Sequence, residues 1–432
     1  MQNKLRIALV VPHIFMQNGF EETLIFAPGK LAIDLARNLS KLGVEVHFFT
    51  PDLQIPEVEN YNVDLNKFYE IASEKTNNHF NPSDSFPKGA INQNDILDYS
   101  QKQKLELLQE FLKKHPLTCI TLSRQVLTEL ISKAYELGNF GEFDLIHFFT
   151  AEEEIAPAFA KLSKVPVCFT HHEPFDFLAK YKSQFEKYKD LNWISISNSQ
   201  QKSLPQGNFI ANVYNGFDNE FDFENQRQNL PSSHLVQSHL PIGKDNKDID
   251  LLYIGRIIKP KGVSLAVKLA EKYNLKLKIV GKYYSGFGND NYFEEEIKPF
   301  LSQDIEYLGY ISGLKTKSEL MARSKCLIMP SIWEEPFGMV MIEAMSVGTP
   351  VLGLDSGSIP EVIKNDVSGI VVEKKMSDPF HMDEIGIVDW LYDGFQKVVK
   401  LDSEKVYEHY KQNFTVEKMA KGYLEVYERL LD

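Results

Sequence analysis

Seven residues separate two carboxylates, Glu335 and Glu343, in the stretch SIWEEPFGMVMIEAMSVGTPV, residues 331–351. Carboxylates in so apolar a run suit the neutral hydroxyl groups of a sugar or ribose, which can donate to them without a conflict of charge. Two cations, Arg256 and Lys261, stand in YIGRIIKPKG. An arginine fork can hold two phosphate oxygens and a lysine adds a mobile point charge, a combination suited to a diphosphate leaving group. In the first half of the chain, VPVCFTHHEP carries the adjacent pair His171 and His172. As a bare pair they read as one buried, hydrogen-bonded histidine beside one exposed.

The elements that must hold these residues are legible in the apolar pattern. KCLIMPS is a buried-strand run that ends at Pro330 and Ser331, so IWEEPFG reads as the loop at its carboxyl end and GMVMIEAMSVG as the following helix. Glu335 then sits on the loop and Glu343 one to two turns into the helix. Pro336 and Gly338 allow a tight helix entry, and free N–H groups at a helix start favour an anion.

Strand and helix signals alternate on either side. LRIALVVP, a helix over GKLAIDLARNLSKLG and VEVHFFTP open a doubly wound parallel sheet, which LIHFFT, VPVCFT, WISIS and FIANV complete. The stretch from about 52 to 142 is a looser, partly helical elaboration containing QKQKLELLQEFLKKH and RQVLTELISKAYELG. That first helix reads as a solvated amphipathic one. Residues 223 to about 249 are rich in Asn, Gln, Ser and Pro and read as a linker. A second alternation follows, through DLLYIGR, LKLKIVGK, IEYLGYIS, KCLIMPS, PVLGLD and SGIVVE, and the chain ends in helices. The expected fold is α/β, with two Rossmann-like doubly wound parallel-sheet domains facing a cleft. The expected boundaries are 1–240 and 241–405, with helices at 406–432 packing back on the first domain. Ligands of such sheets lie outside the carboxyl ends of the strands.

Composition narrows the function. The 432 residues are 43% apolar and 25% charged, with a formal charge of −13 that offers no concentrated basic footprint for nucleic acid. Cys119, Cys168 and Cys326 have no paired spacing, so a disulfide framework is not expected and a reducing cytoplasm fits. No run reaches the roughly 18 apolar residues of a membrane helix, which leaves only peripheral membrane contact. Gly286 and Gly288 in YSGFGND lack the third glycine of a dinucleotide fingerprint, so a turn suffices there.

Taken together, GRIIKPKG, EPFGMVMIEAMSVGTPV and GSIPEVIKNDVSGIVV resemble the retaining glycosyltransferases of family 4, which have the GT-B fold and use nucleotide-sugar donors. The likeness is dense over residues 251–373 and thinner through the first half, and it leaves out residues 52–142. It implies that Arg256 and Lys261 neutralise the diphosphate and that Glu335 holds hydroxyls of the transferred sugar. The backbone of Phe337, Gly338 and Met339, with Val340 beside them, would assist. By the same likeness Glu343 holds the ribose hydroxyls, Gly255 and Gly281 let loops approach the nucleotide, and Ile311 lines the base pocket. His172 fits the family's Thr, any residue, His pattern facing the transferred sugar. Where family members often carry paired glycines in the first loop, IFAPGK has Gly29 alone.

The implied activity is transfer of a sugar, with retention and without metal, from a nucleoside-diphosphate sugar (UDP, GDP or another) to a hydroxyl acceptor. No cofactor is implied beyond that substrate. Asp248 and Asp250 in DID resemble a metal-binding acidic motif, yet they fall in the polar linker, and no metal is expected. Three alternatives stay open: a sugar phosphorylase or a sugar-nucleotide epimerase on the same architecture, or a non-catalytic sugar-nucleotide binding protein.

Overall fold

The structure is a computed structural model that describes residues 4–20, 26–77, 99–150, 155–176, 179–219, 247–283, 291–373 and 384–432. Most of the expected linker, the NNHFNPSDSFPKGAINQND stretch and the YSGFGND glycines lie outside the described residues. The chain divides into two compact units. One comprises residues 1–196, 203–213 and 419–432, the other residues 197–202 and 214–418.

The first unit is built on a seven-stranded sheet. In chain order its strands are β1 (Arg6–Val10), β2 (Glu45–Phe49), β3 (Glu59–Tyr61), β4 (Leu145–Phe148), β5 (Val167–Thr170), β6 (Asn192–Ser195) and β7 (Phe209–Asn212). Their spatial order is β3-β2-β1-β4-β5-β6-β7 and every described pairing is parallel. Sheets of this kind bury both faces, which is why β1, β4 and β5 are almost unbroken apolar runs. Helix α1 (Ala27–Lys41) turns Leu31, Ala32, Leu35, Ala36 and Leu39 inward. It ends against Gly43, whose φ of +94° is a left-handed stop that favours glycine.

The elaboration is helical: α2 (Asn66–Asn77), α3 (Gln101–Lys114) and α4 (Pro116–Asn139). α3 starts with a capping box, the Ser100 hydroxyl taking the Gln103 N–H while the Gln103 side chain takes the Ser100 N–H. β3 and α2 were not foreseen in the sequence. The last helix, Val416–Leu431, supplies Tyr423 and Tyr427 to this unit's core.

The second unit carries the strands β8 (Ile249–Ile254), β9 (Leu277–Val280), β10 (Ile305–Tyr307), β11 (Ser324–Met329), β12 (Val351–Leu354) and β13 (Gly369–Val372). They form a parallel sheet of order β10-β9-β8-β11-β12-β13. Its core gathers Leu251, Leu277, Ile279, Cys326, Ile328 and Leu352 from the strands with Val267, Ala270, Leu391 and Phe395 from flanking helices. The chain winds outward from β8 to β10 and returns to β11 beside β8, so the order of strands reverses between β8 and β11. A crevice opens at such a reversal, at the carboxyl ends. Both units are therefore the expected doubly wound parallel-sheet type. Among the described residues no helix is long and apolar enough to cross a membrane.

Candidate active site

The loops after β8 and β11 meet at the strand-order reversal in the second unit. The carbonyl of Pro260 accepts the backbone N–H groups of Ile332 at 3.0 Å and Trp333 at 3.1 Å. Gly262 makes this closeness feasible: its φ is +68°, and a Cβ there would stand 1.9 Å from the Pro330 carbonyl oxygen. Behind the β11 loop a third layer comes from β12. The Ser358 N–H donates to the Glu335 carbonyl at 2.8 Å, and the hydroxyls of Ser356 and Ser358 donate to the carbonyls of Trp333 and Phe337. The Gly357 N–H donates to the Glu334 carboxylate at 2.9 Å. The loop bearing Glu335 is thus held from both sides by backbone.

On this frame Lys261 Nζ lies 2.5 Å from Glu335 Oε2, the two side chains being 14% and 10% exposed. The same ammonium faces the Trp333 ring, 6.0 Å from its centroid. A pair this sheltered places a fixed dipole at the mouth of the crevice, and removing either member would leave the other charge poorly solvated. The second glutamate is also paired. Glu343 lies on the short helix Met339–Met345, with Oε2 3.6 Å from Lys317 Nζ. Lys317 comes from another helix, Leu314–Ala322. Each carboxylate therefore brings its own countercharge, which lessens its repulsion of an anionic ligand.

The other sequence-predicted residues of this unit stand along the same edge. Gly255 and Arg256 follow β8. The Arg256 side chain is exposed, and its carbonyl accepts the Tyr253 hydroxyl at 2.7 Å. Burial, with Tyr292 and the Glu335 carboxylate nearby, raises the Tyr253 phenol well above its usual range, so it stays a neutral donor. Gly281 follows β9 and receives the Gly255 carbonyl so closely that a Cβ would stand 1.8 Å from that oxygen. Ile311 follows β10 and is half-buried. Phe337 is buried beside Tyr214 and Phe414, while Gly338, at φ +80°, leads into the half-buried Met339 and Val340.

His172 and Gly29 belong to the first unit. His172 follows β5 with Nε2 2.9 Å from the Phe149 carbonyl, and His171 is buried against Phe175 and Phe185. Gly29 lies in the first turn of α1, where a Cβ would meet Met16, Phe20 and Phe26 within 3 Å. Asp248 and Asp250 differ from their linker placement. They stand at the start of β8, Asp248 bound by the Arg323 guanidinium and Asp250 by Lys325 at 2.7 Å.

Four features escaped the sequence reading. Lys317 is joined to Glu343 only by tertiary packing. Tyr283 and Tyr310, exposed at the ends of β9 and β10, stand beside Lys282, whose ammonium lies 4.4 Å from the Tyr310 ring centroid. Glu361 accepts the backbone N–H groups of Asn198 and Ser199 at 2.8 and 2.5 Å, tying segment 197–202 into the second unit. His147 lies within the apolar run of β4. It is fully buried between the Tyr427 hydroxyl at 2.7 Å and the Thr170 hydroxyl at 2.9 Å, and burial with the nearby His172 lowers its pKa to about 3.

Residues 238–382 match the family described as Glycosyl transferases group 1. An uncharacterized glycosyltransferase of Methanocaldococcus jannaschii is 31% identical over 238 residues, covering 52% of this chain and 57% of that relative. The chain spans about half the length of the curated relatives it matches, 57%, 32% and 50% for three of them. Among solved structures, sucrose-phosphate synthase from Thermosynechococcus elongatus superposes with a TM-score of 0.60 at 15% identity, covering 99% of both chains. Anabaena HepE in complex with UDP and glucose superposes at 0.58 and 18% identity, over 98% of this chain and 100% of that one. The fold is GT-B, and the family match falls on the part of the chain that carries the second sheet.

Proposed function

We propose that the chain is a metal-independent, retaining glycosyltransferase that moves a sugar from a nucleoside-diphosphate sugar to a hydroxyl acceptor. The second unit takes the donor and the first the acceptor. The observation that carries this reading is the sheltered Lys261–Glu335 pair at the strand-order reversal, with the Arg256 guanidinium exposed on the neighbouring loop. A diphosphate entering there meets Arg256 and Lys261, while the Glu335 carboxylate, already neutralised, is left to accept sugar hydroxyls. Glu343, countered by Lys317, accepts ribose hydroxyls on the same terms. Tyr283, stacked on Phe293, and Tyr310, beneath Lys282, are partly exposed at the ends of β9 and β10, where the base would lie.

In the transfer, the bond from the anomeric carbon to the phosphate oxygen breaks and the oxygen keeps the electron pair. The acceptor oxygen bonds that carbon on the same face, and its proton passes to the departing phosphate. Arg256 and Lys261 offset the charge that develops on the leaving oxygen, the kind of preorganised contact whose loss costs on the order of a hundredfold in rate. The proposed cations are side chains, and the carboxylates of the DID triplet are bound to Arg323 and Lys325.

The test is turnover with UDP-glucose, chosen because HepE was solved with UDP and glucose, over a panel of hydroxyl acceptors with chelator present. Proton NMR reads the anomeric configuration of the product. A product with the donor's configuration, formed at the same rate with and without chelator, is expected. An inverted product, turnover that stops with chelator, or sugar release only with inorganic phosphate would overturn the reading.

A further inference from the structure

The helical elaboration of the first unit ends in a projecting tip. Tyr135 of α4 packs level with Phe148, the last residue of β4, with ring centroids 5.3 Å apart, and Gly138 faces Ile146 nearer the strand's start. α4 therefore runs antiparallel to β4. Its first turn lies beyond the carboxyl ends of the sheet, about 27 Å along the helix from Tyr135 at 1.5 Å per residue. This is the edge that carries His172. The ends of α2 and α3 converge on the same place, since His115 Nε2 is 3.1 Å from the Lys75 carbonyl oxygen.

Two properties coincide at this tip. Leu117 is 81% exposed and Ile120, one turn on, 45% exposed, so the pair forms an outward apolar knob on α4. Around it stand the exposed Lys75, Lys113 and Lys114, against the acids Glu74 and Glu110, the latter paired with Lys114 at 2.6 Å. A lysine excess beside a projecting apolar pair stands out on a chain whose formal charge is −13. Apolar side chains ringed by cations complement a lipid surface that is negative at its headgroups and apolar just beneath.

We propose that this tip docks the first unit onto an anionic lipid surface, Leu117 and Ile120 entering between headgroups while Lys75, Lys113 and Lys114 hold lipid phosphates. The proposal is independent of the donor reading, because vesicle binding is measured without turnover.

The experiment is co-flotation of the full chain with phosphatidylglycerol-containing vesicles and with pure phosphatidylcholine vesicles. The wild type, the Leu117→Asp/Ile120→Asp double variant and the Lys113→Glu variant are compared at low and high salt, with far-ultraviolet circular dichroism to check folding. The wild type should bind only the anionic vesicles and lose binding as salt rises. Both variants should stay folded and partition on the order of tenfold less, as expected from losing a few surface contacts. No flotation with anionic vesicles, flotation that the tip variants leave unchanged, or equal flotation with neutral vesicles would overturn it. So would self-association abolished by the double variant in the absence of any vesicle binding, since the knob would then serve a second copy.

Discussion

The two glutamates of the second unit have the same partner type and different surroundings. Glu335 meets Lys261 at 2.5 Å on a loop clamped by Pro260 on one side and Ser358 on the other, while Glu343 meets Lys317 at 3.6 Å between two helix surfaces. The first pair has its geometry fixed by backbone contacts and little freedom to reorganise. The second is looser and joins elements that pack through ordinary side-chain contact. Tight, desolvated pairs suit a position where charge develops during a reaction, and looser ones suit ground-state binding of neutral hydroxyls. Under the proposed function, Lys261–Glu335 would stabilise the transition state and Lys317–Glu343 would supply donor affinity.

Substitutions should separate the two. Lys261→Ala is expected to lower kcat and kcat/KM together by about a hundredfold or more, roughly 2.7 kcal/mol, measured by steady-state turnover with a saturating donor. A change confined to KM would place this pair with the other.

A control in the first unit comes next in size. His147 is buried neutral, with a pKa lowered from 6.5 to about 3. The unfolded chain takes up a proton as pH falls through 6.5 and the folded chain does not, so stability present above pH 6.5 is lost as pH falls towards 3. By about pH 5 the loss should reach roughly 2 kcal/mol, at ~1.4 kcal/mol per pH unit. Thermal melts of wild type and His147→Gln over that window should converge as pH falls. Parallel curves would remove His147 from the acid response.

Glu343→Ala should weaken donor binding about tenfold, near 1.4 kcal/mol, with kcat held within a few-fold, as titration and kinetics together would read. Lys317→Ala should weaken it by no more than about fivefold, in line with the ~1 kcal/mol ceiling of partly exposed pairs. If Lys317→Ala matched Lys261→Ala in kcat, the distinction between the pairs would collapse.

Both sheets could be read from the sequence because buried parallel strands are continuous apolar runs, and KCLIMPS, DLLYIG and LIHFFT stand out as such. β3 is the three residues Glu59, Asn60 and Tyr61 at a sheet edge, too short and too polar to announce itself. Glu335 and Glu343 were visible because loop and helix start are adjacent in sequence. Lys317 was not, because no local pattern joins it to a glutamate on another helix. His147 was hidden for a related reason. It sits in an apolar strand and is made tolerable by Tyr427, a residue 280 positions away. Asp248 and Asp250 were misplaced since a strand that starts with acids reads as polar linker until Arg323 and Lys325 are seen opposite them.

The central claim is that lysine-countered glutamates at the β8–β11 reversal make the second unit a nucleoside-diphosphate-sugar site. The most direct test is a metal-free calorimetric titration of UDP, GDP, ADP and TDP sugars into the wild type, Lys261→Ala and Glu343→Ala proteins. One nucleotide binding in the micromolar range, weakened about tenfold by Glu343→Ala and held within a few-fold by Lys261→Ala, is the predicted result. Binding to none of the four, or binding that Glu343→Ala leaves unchanged, would contradict it.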